Sequence, residues 1–344
     1  MKKQLKQIMK KGFGIVLVCL WFVSGLLFTS SPAQAVTTLK LGTIDSPMSA
    51  LGQGLTLFGK LVEEKTKGEV KISIGFSSAY GGWAALLSSV EMGSVDMMVE
   101  DIGGWEFFDP ALRIIRFAYV FRDYDHYLKY LNSSVLEESK KKVLGRGHHF
   151  LLPNKDAVWA RGPYRVLASK KPIYNADDVK GLKLRLYESE TAKKVWGQAL
   201  GANITVIPWG ETYLALKQGM VEAVTSPLDS LYDIKFTEVC KYVTEIKEFY
   251  QNQTVTINTK KWQSFSPAIQ KALADAATET ARTMNTKLYG QVEKDMQRMM
   301  DDHGASFLKV STKSFQDKVK PYVDELENQN FWPKGLYARV QEIK

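Results

Sequence analysis

The sequence has little cysteine and, after residue 35, no long apolar run. Of its two cysteines, Cys19 lies in the N-terminal segment and Cys240 is alone in the remainder. A lone cysteine cannot form an internal disulfide, so we interpret Cys240 as a small packed residue and not as a reactive thiol. No stretch after residue 35 is apolar enough to cross a membrane. A disulfide scaffold and a multi-span membrane protein are therefore excluded.

The sequence also lacks the short motifs of common enzymes and nucleotide-binding proteins. It contains no phosphate-binding GxxxxGK[ST], no GxSxG nucleophile elbow and no HExxH zinc motif. The four histidines are scattered, and the adjacent His148 and His149 would point to different faces of any regular element. We therefore expect no catalytic residues, no metal site, no cofactor and no enzymatic activity.

The first 35 residues predict a secretory signal peptide. Five lysines and no acidic residue precede an almost wholly apolar run over residues 12–28, and Ala33-Gln34-Ala35 forms a small-x-small cleavage site. We expect cleavage after Ala35 and export to the periplasm. Two alternatives are an uncleaved anchor, because the run is about long enough for a marginal span, and a lipoprotein on Cys19. Val18 disfavours the lipoprotein, since a small residue is required before the modified cysteine.

Much of the positive charge belongs to this segment. The chain has 46 basic and 37 acidic residues, and 41 basic residues remain once the first 35 residues are removed. The high pI is therefore no argument for a nucleic-acid partner, and we expect none. The remaining positive excess is compatible with an anionic ligand.

The rest of the chain alternates between predicted strands and helices. Its length exceeds that at which single cores stop growing, so two domains are expected. Without a Pro/Gly/Ser-rich linker, these should be lobes that share crossing strands. A β-α-β-α-β pattern predicts a largely parallel α/β sheet, with ligands at the carboxyl ends of its strands. Predicted strands cover residues 38–43, 70–76, 96–99, 182–186, 204–207, 223–225 and 254–258, and predicted helices cover residues 49–66, 83–92, 191–200 and 210–218.

One predicted helix is much longer than the others. Ser266 is a good N-cap, Pro267 suits the first helical position, and Gly304 suits the C-terminal stop after His303. A continuous helix of 37 residues would extend roughly 55 Å at 1.5 Å per residue. It should therefore lie along both lobes, although Gly290 leaves two consecutive helices as an alternative.

Arg185 lies in an unusual position for an arginine. It is flanked by Leu184 and Leu186 on a strand that should be largely buried. A guanidinium in such a place must be paired, because it cannot lose its charge. Its two parallel donors match a carboxylate. The partner is therefore either an internal Asp or Glu or the carboxylate of a ligand.

Several segments resemble the DctP-type solute receptors of tripartite ATP-independent periplasmic (TRAP) transporters. The most specific is the run over residues 171–185, KPIYNADDVKGLKLR, and further matches are LKLGT at residues 39–43, MGSVD at residues 92–96, and LGA, ETYLALKQG and SP at residues 200–202, 211–219 and 226–227. The resemblance extends along essentially the whole chain after residue 35. It implies a two-lobed periplasmic binding protein fold with mixed sheets, crossing strands and a long C-terminal helix over both lobes. Lobe I is predicted to comprise residues 36–162 and 251–290, and lobe II residues 163–250 and 291–344.

The resemblance also implies a ligand site. Arg185 corresponds to the family's carboxylate clamp, Arg165 to the second arginine of sialic-acid-binding members, Asp101 to a polar pocket residue and Trp209 to the pocket aromatic. The alternative for Trp209 is a packed aromatic that supports the next helix. The predicted site also includes Asp45 and Tyr80, at the carboxyl ends of strands, Glu188 and Ser226. Ile44 and the pair Thr225-Ser226 depart from the sialic-acid pattern, so a smaller or more apolar organic acid is expected.

The implied protein is a monomeric receptor that passes a small organic acid, a C4-dicarboxylate or another carboxylate, to the small and large membrane subunits of a TRAP transporter. One alternative is an exported α/β enzyme that acts on a carboxylate. It would need an acid-base pair near Arg185, for which Asp101 and Glu188 are the candidates. The other alternative is a binding protein that serves a sensor or a different permease.

Overall fold

A computed structural model describes residues 36–344. The predicted signal peptide, its cleavage site and Cys19 lie outside these residues. None of the helices described after residue 35 combines the length and apolar character that a membrane span requires.

The described chain contains twelve strands. They are β1 (Thr37–Gly42), β2 (Val70–Gly75), β3 (Met97–Asp101), β4 (His148–Phe150), β5 (Trp159–Ala160), β6 (Arg165–Ser169), β7 (Lys183–Leu186), β8 (Asn203–Val206), β9 (Ala223–Pro227), β10 (Tyr242–Thr244), β11 (Asn252–Asn258) and β12 (Ser306–Leu308).

Twelve α-helices accompany these strands. They are α1 (Ala50–Lys65), α2 (Trp83–Met92), α3 (Tyr124–Leu131), α4 (Ser134–Gly145), α5 (Glu190–Ala192), α6 (Thr212–Lys217), α7 (Phe236–Val239), α8 (Thr259–Gln263), α9 (Pro267–His303), α10 (Lys313–Val319), α11 (Tyr322–Asn328) and α12 (Leu336–Gln341). A π-helical segment, Lys193–Ala199, follows α5 directly. The predicted helix over residues 191–200 is therefore helical but not a regular α-helix.

The strands form two mixed sheets of six strands each. In the first sheet the order is β2-β1-β3-β11-β4, and β5 also pairs with β11. The pairs of β1 with β2 and β3 are parallel, whereas β11 is antiparallel to its neighbours. The second sheet has the order β12-β10-β6-β9-β7-β8. Because β11 follows β10 in the chain but pairs in the first sheet, the predicted crossing strands are confirmed.

Buried and exposed side chains alternate along β1 of the first sheet. Leu39 and Leu41 of β1 are fully buried, whereas Lys40 between them is exposed, as expected for a strand with one covered face. Helix α1 begins where the hydroxyl of Ser49 accepts a 3.0 Å hydrogen bond from the Gly52 amide. Its buried Leu55 and Phe58 join the same core. The polar carboxyl ends of the strands lie at the edge of the first sheet, outside this core.

Helix α9 extends without interruption over all 37 predicted residues. The Ser266 hydroxyl accepts from the Ile269 amide, and Gly304 ends the helix in the left-handed conformation at φ 63°. In its first half, Leu273 packs into the core beneath the first sheet. In its second half, Met299 packs into the core of the second sheet. The prediction of one long helix along both lobes is confirmed, and Gly290 does not break it.

The C-terminal helices α10, α11 and α12 contribute to one hydrophobic core. Phe315 and Leu326 share a core with Val179, and Trp332 packs edge-on against Phe117 at 5.1 Å. The exact division of residues between the lobes stays a prediction.

Cys240 and the histidine pair occupy packed positions. Cys240 is fully buried, and burial raises the pKa of its thiol to about 12, as expected for a packed residue. The His148 ring accepts a 3.2 Å hydrogen bond from the Trp105 indole, while His149 stacks on Trp262 at 4.2 Å. The two rings therefore have different neighbours.

Candidate ligand-binding site

A cavity of about 410 Å³ lies where the carboxyl ends of several strands from both sheets meet. Asp45 and Glu100 reach it from the first sheet, and Arg185 and Trp209 reach it from the second. This volume is typical of small-molecule sites, and strand ends are where open α/β sheets bind ligands. Besides these side chains, the walls include Trp83, Tyr187 and three further arginines.

Arg185 is the cavity arginine that has no acidic partner among the described residues. Its side chain is 2% exposed, its Nε donates a 2.8 Å hydrogen bond to the Ile207 carbonyl, and no acidic residue of the described chain forms an ion pair with it. Burial and the nearby Arg165 lower the pKa of Arg185 from its ordinary value. The internal salt bridge left open by the sequence is therefore absent, and the two terminal nitrogens remain available to a ligand.

Arg165 is held firmly at the start of β6. Its terminal nitrogens donate to the Gln251 side-chain oxygen at 2.6 Å and to the Thr225 carbonyl and hydroxyl at 2.7 Å. Its Nε lies 3.6 Å from the Glu248 carboxylate, and the side chain lines the cavity. Arg165 is thus a positioned cation whose charge is already compensated.

Two cavity arginines, Arg116 and Arg161, were missed by the sequence interpretation. Arg116 donates to both carboxylate oxygens of Asp101, at 3.1 Å and 2.9 Å. Arg161 lies 3.6 Å from Asp45 and 3.9 Å from Asp229. Arg116 is the last residue of a 3-10 segment, and Arg161 follows a two-residue strand, so no periodic pattern marks them. Their only sequence signal is a position near apolar residues.

Glu100 is the acidic group with the most perturbed environment in the cavity wall. One of its oxygens accepts from the Asp101 amide at 2.9 Å and from Arg116 at 3.3 Å. Burial and the neighbouring Asp101 raise the pKa of Glu100 to about 7, although Arg116 opposes them. The other oxygen accepts no hydrogen bond from the described residues. Glu100 is the residue directly before the predicted Asp101.

Trp209 lines the cavity, and its ring centroid lies 5.2 Å from the Arg185 guanidinium carbon. It begins a 3-10 turn at the end of the loop after β8. Its other contact is an edge-on packing against Phe236 at 5.3 Å. The Trp209 ring thus forms part of the cavity wall and also packs against the core of the second sheet.

Of the eight predicted site residues, five line the cavity and three do not. Those in the walls are Arg185, Arg165, Trp209, Asp45 and Glu188. Asp101 is buried behind the wall, where its carboxylate holds Arg116 and accepts from Gln251 at 3.2 Å. The Tyr80 ring packs over Gly75, where a Cβ atom would approach to 2.5 Å. The Ser226 hydroxyl is buried and donates to the Pro227 carbonyl.

The fold and the cavity together define a class of protein. Two mixed sheets joined by crossing strands line a cavity with a buried guanidinium that has no acidic partner among the described residues, which is the arrangement of a two-lobed binding protein for an anionic solute. The chain belongs to family 7 of the bacterial extracellular solute-binding proteins, whose sequence model matches residues 41–330. The resemblance to DctP-type receptors is confirmed.

Individual relatives match along nearly the whole chain. The 2,3-diketo-L-gulonate-binding periplasmic protein YiaO of Escherichia coli is 29% identical over 94% of this chain and 97% of its own. The C4-dicarboxylate-binding periplasmic protein DctP of Rhodobacter capsulatus is 24% identical over 87% and 90%. The crystal structure of a TRAP periplasmic solute-binding protein from Polaromonas sp. JS666, bound to D-erythronate, matches with a TM-score of 0.81 and 26% identity, and covers 90% of this chain and 99% of that one.

Proposed function

We propose that this protein captures a small organic acid anion in the cavity and delivers it to the small and large membrane subunits of a TRAP transporter. The observation that carries the proposal is Arg185, a 2% exposed guanidinium without an acidic partner in the described chain, in the wall of a ligand-sized cavity. A ligand carboxylate supplies the missing counter-charge and two hydrogen-bond acceptors. Relatives that bind diketogulonate, C4-dicarboxylates and erythronate support an organic acid.

Binding proceeds by charge pairing followed by closure of the lobes. The anion enters between the two sheets and pairs with Arg185, while Arg165 adds a fixed positive charge nearby. Hinge bending at the crossing strands then brings the walls together. Closure excludes water, which strengthens the charge-assisted hydrogen bonds. Because the cavity residues hold and orient a solute, the protein acts as a receptor and not as a catalyst. It does so as an exported monomer.

Thermal-shift screening of organic acids with the protein that begins at Val36 tests this function. A cognate acid should raise the unfolding temperature in proportion to the logarithm of its concentration, because it binds only the folded state. The amide of each active acid is the matched control, since it keeps the shape and loses the charge. The proposal fails if no acid stabilises the protein, or if acid and amide stabilise it equally.

A further inference from the structure

We propose that the solute is a monocarboxylate that carries hydroxyl groups, and that the cavity discriminates against dicarboxylates. This inference rests on the proposed function and narrows it. It follows from the pairing of charges in the cavity walls and from polar atoms there that have no partner.

Three of the four cavity arginines already have acidic partners. Arg116, Arg161 and Arg165 lie within 3.9 Å of six carboxyl groups, which belong to Glu100, Asp101, Glu106, Asp45, Asp229 and Glu248. Arg185 has no such partner in the described chain. The walls therefore contain one uncompensated positive charge, which one carboxylate neutralises.

A second ligand carboxylate has no cation to pair with. If it took Arg165, it would leave Glu248 buried without a counter-charge, and one oxygen of Glu248 already lacks a hydrogen-bond donor. An uncompensated buried charge is costly. If it lay against the first sheet, it would approach the acidic groups Glu100 and Asp45 in that wall. Both positions are unfavourable for a dianion.

The same walls contain hydrogen-bonding atoms without partners. The Trp83 indole nitrogen, the Tyr187 hydroxyl and the Gln253 side-chain oxygen are buried and make no hydrogen bond within the described chain. Glu100 offers one further free acceptor oxygen. Carboxylate and amide oxygens can only accept, so their complement on the ligand is a hydroxyl group, which also accepts from an indole or a phenol. A buried polar group left unpaired costs stability, which favours a hydroxylated ligand over a plain fatty acid.

Calorimetric titration with matched ligands tests the inference. For chain lengths of four to six carbons, each aldonate is compared with the aldarate of the same hydroxyl configuration and with the unsubstituted fatty acid. An aldonate should bind best, and the unsubstituted acid should bind more than ~100-fold weaker because it leaves the polar atoms unpaired. The matching aldarate should also bind more weakly, since its second carboxylate meets like charge.

The variant Glu100→Gln, titrated beside the wild type at pH 8, above the pKa of about 7 of Glu100, tests the charge repulsion separately. It keeps the shape and an acceptor oxygen but removes the charge, so it should narrow the preference for aldonate over aldarate by about tenfold or more. Glu106→Gln is the matched control, because Glu106 also lies near Arg116, at 3.7 Å, but does not line the cavity. The control should leave the preference unchanged, and thermal unfolding checks that both variants fold.

The outcomes separate this inference from the proposed function. If an aldarate or a fatty acid binds the wild-type protein as tightly as the best aldonate, the inference is overturned and the receptor function stands. If Glu106→Gln changes the preference as much as Glu100→Gln, the assignment of Glu100 is wrong. If no carboxylate binds at all, the proposed function itself fails, and the inference fails with it.

Discussion

Single side chains in the cavity wall are held in energetically unfavourable states that a ligand can relieve. Arg185 is charged and buried without an acidic partner, and the Tyr187 hydroxyl is buried without a hydrogen bond, within the described chain. Such groups lower the stability of the empty protein, and the same groups make binding favourable when a complementary ligand arrives. Function and stability therefore oppose each other at these residues.

Arg185→Lys should weaken ligand binding and leave the fold intact. Lysine keeps the charge but offers no planar pair of donors, so the loss of one charge-assisted hydrogen bond should cost about 1.5–3 kcal/mol of binding free energy. Calorimetry measures the affinity. Arg122→Lys is the control, because Arg122 also donates to backbone carbonyls, those of Gln341 and Ile343, but lies outside the cavity. Equal affinity of wild type and Arg185→Lys would refute the role of Arg185 as the group that binds the ligand carboxylate.

Trp209→Phe should reduce the change in tryptophan fluorescence that accompanies ligand binding. Closure over the ligand would bury the indole that lies beside Arg185, whereas of the six other tryptophans after residue 35 only Trp83 also lines the cavity. Fluorescence titration of both proteins measures the difference, and Trp262→Phe, which removes an indole stacked on His149, is the control. An identical response and affinity in Trp209→Phe would mean that Trp209 only supports the fold.

Glu100→Gln should alter the pH dependence of stability. Since burial and Asp101 raise the pKa of Glu100 from 4.5 to about 7, the folded state retains a proton that the unfolded state has released between these values. The wild type should therefore lose on the order of 3 kcal/mol as pH rises through this range, and Gln removes that loss. Urea unfolding of the ligand-free proteins at pH 5 and pH 8 measures it. A constant difference between the two proteins would contradict the prediction.

At the scale of the elements, helix α9 connects the two cores. Its residues from Leu273 to Ala281 pack beneath the first sheet, and its residues from Leu288 to Met299 pack in the core of the second. Gly290 lies inside the helix, where a Cβ atom would have no neighbour within 4 Å. The helix therefore tolerates a side chain at this position.

Gly290→Ala should raise the free energy of unfolding by roughly 0.5–1 kcal/mol, because alanine restricts the unfolded chain without a clash in the helix. Gly304→Ala is the matched control. It is equally open, but its φ of 63° is strained for alanine, so this variant should be destabilised. Chemical denaturation measures both. A loss of stability in Gly290→Ala would show that the helix requires glycine there.

At the scale of the whole molecule, the mature protein is predicted to begin at Val36. The basic segment, the apolar run and Ala33-Gln34-Ala35 indicate cleavage after Ala35. Intact-mass measurement of the exported product should give the mass of residues 36–344. A heavier product with residues 1–35, or one with a lipid on Cys19, would contradict this prediction, and Ala35→Tyr, which blocks the small-residue site, should yield the uncleaved form.

Much of the architecture could be predicted from the sequence because its signals are local. Alternating residues indicate β1 and β2, and the Ser266 cap, Pro267 and Gly304 define both ends of α9. These patterns depend on backbone geometry and on short-range hydrogen bonds, which neighbouring residues control. The π-helical turn at Lys193–Ala199 was not predicted, since its hydrogen-bonding pattern has no distinct apolar period.

The composition of the cavity was decided by tertiary structure. The sequence singled out Arg185 by its apolar neighbours, yet whether an acid or a ligand would pair with it depends on which side chains from other strands approach it. Arg116, Arg161 and Glu100 reach the cavity from other segments, and Asp101 turns behind the wall to hold Arg116. Electrostatic pairing acts between residues far apart in the chain. Local sequence therefore determined the strands and the long helix, and only the folded chain decided which charges remain for the solute.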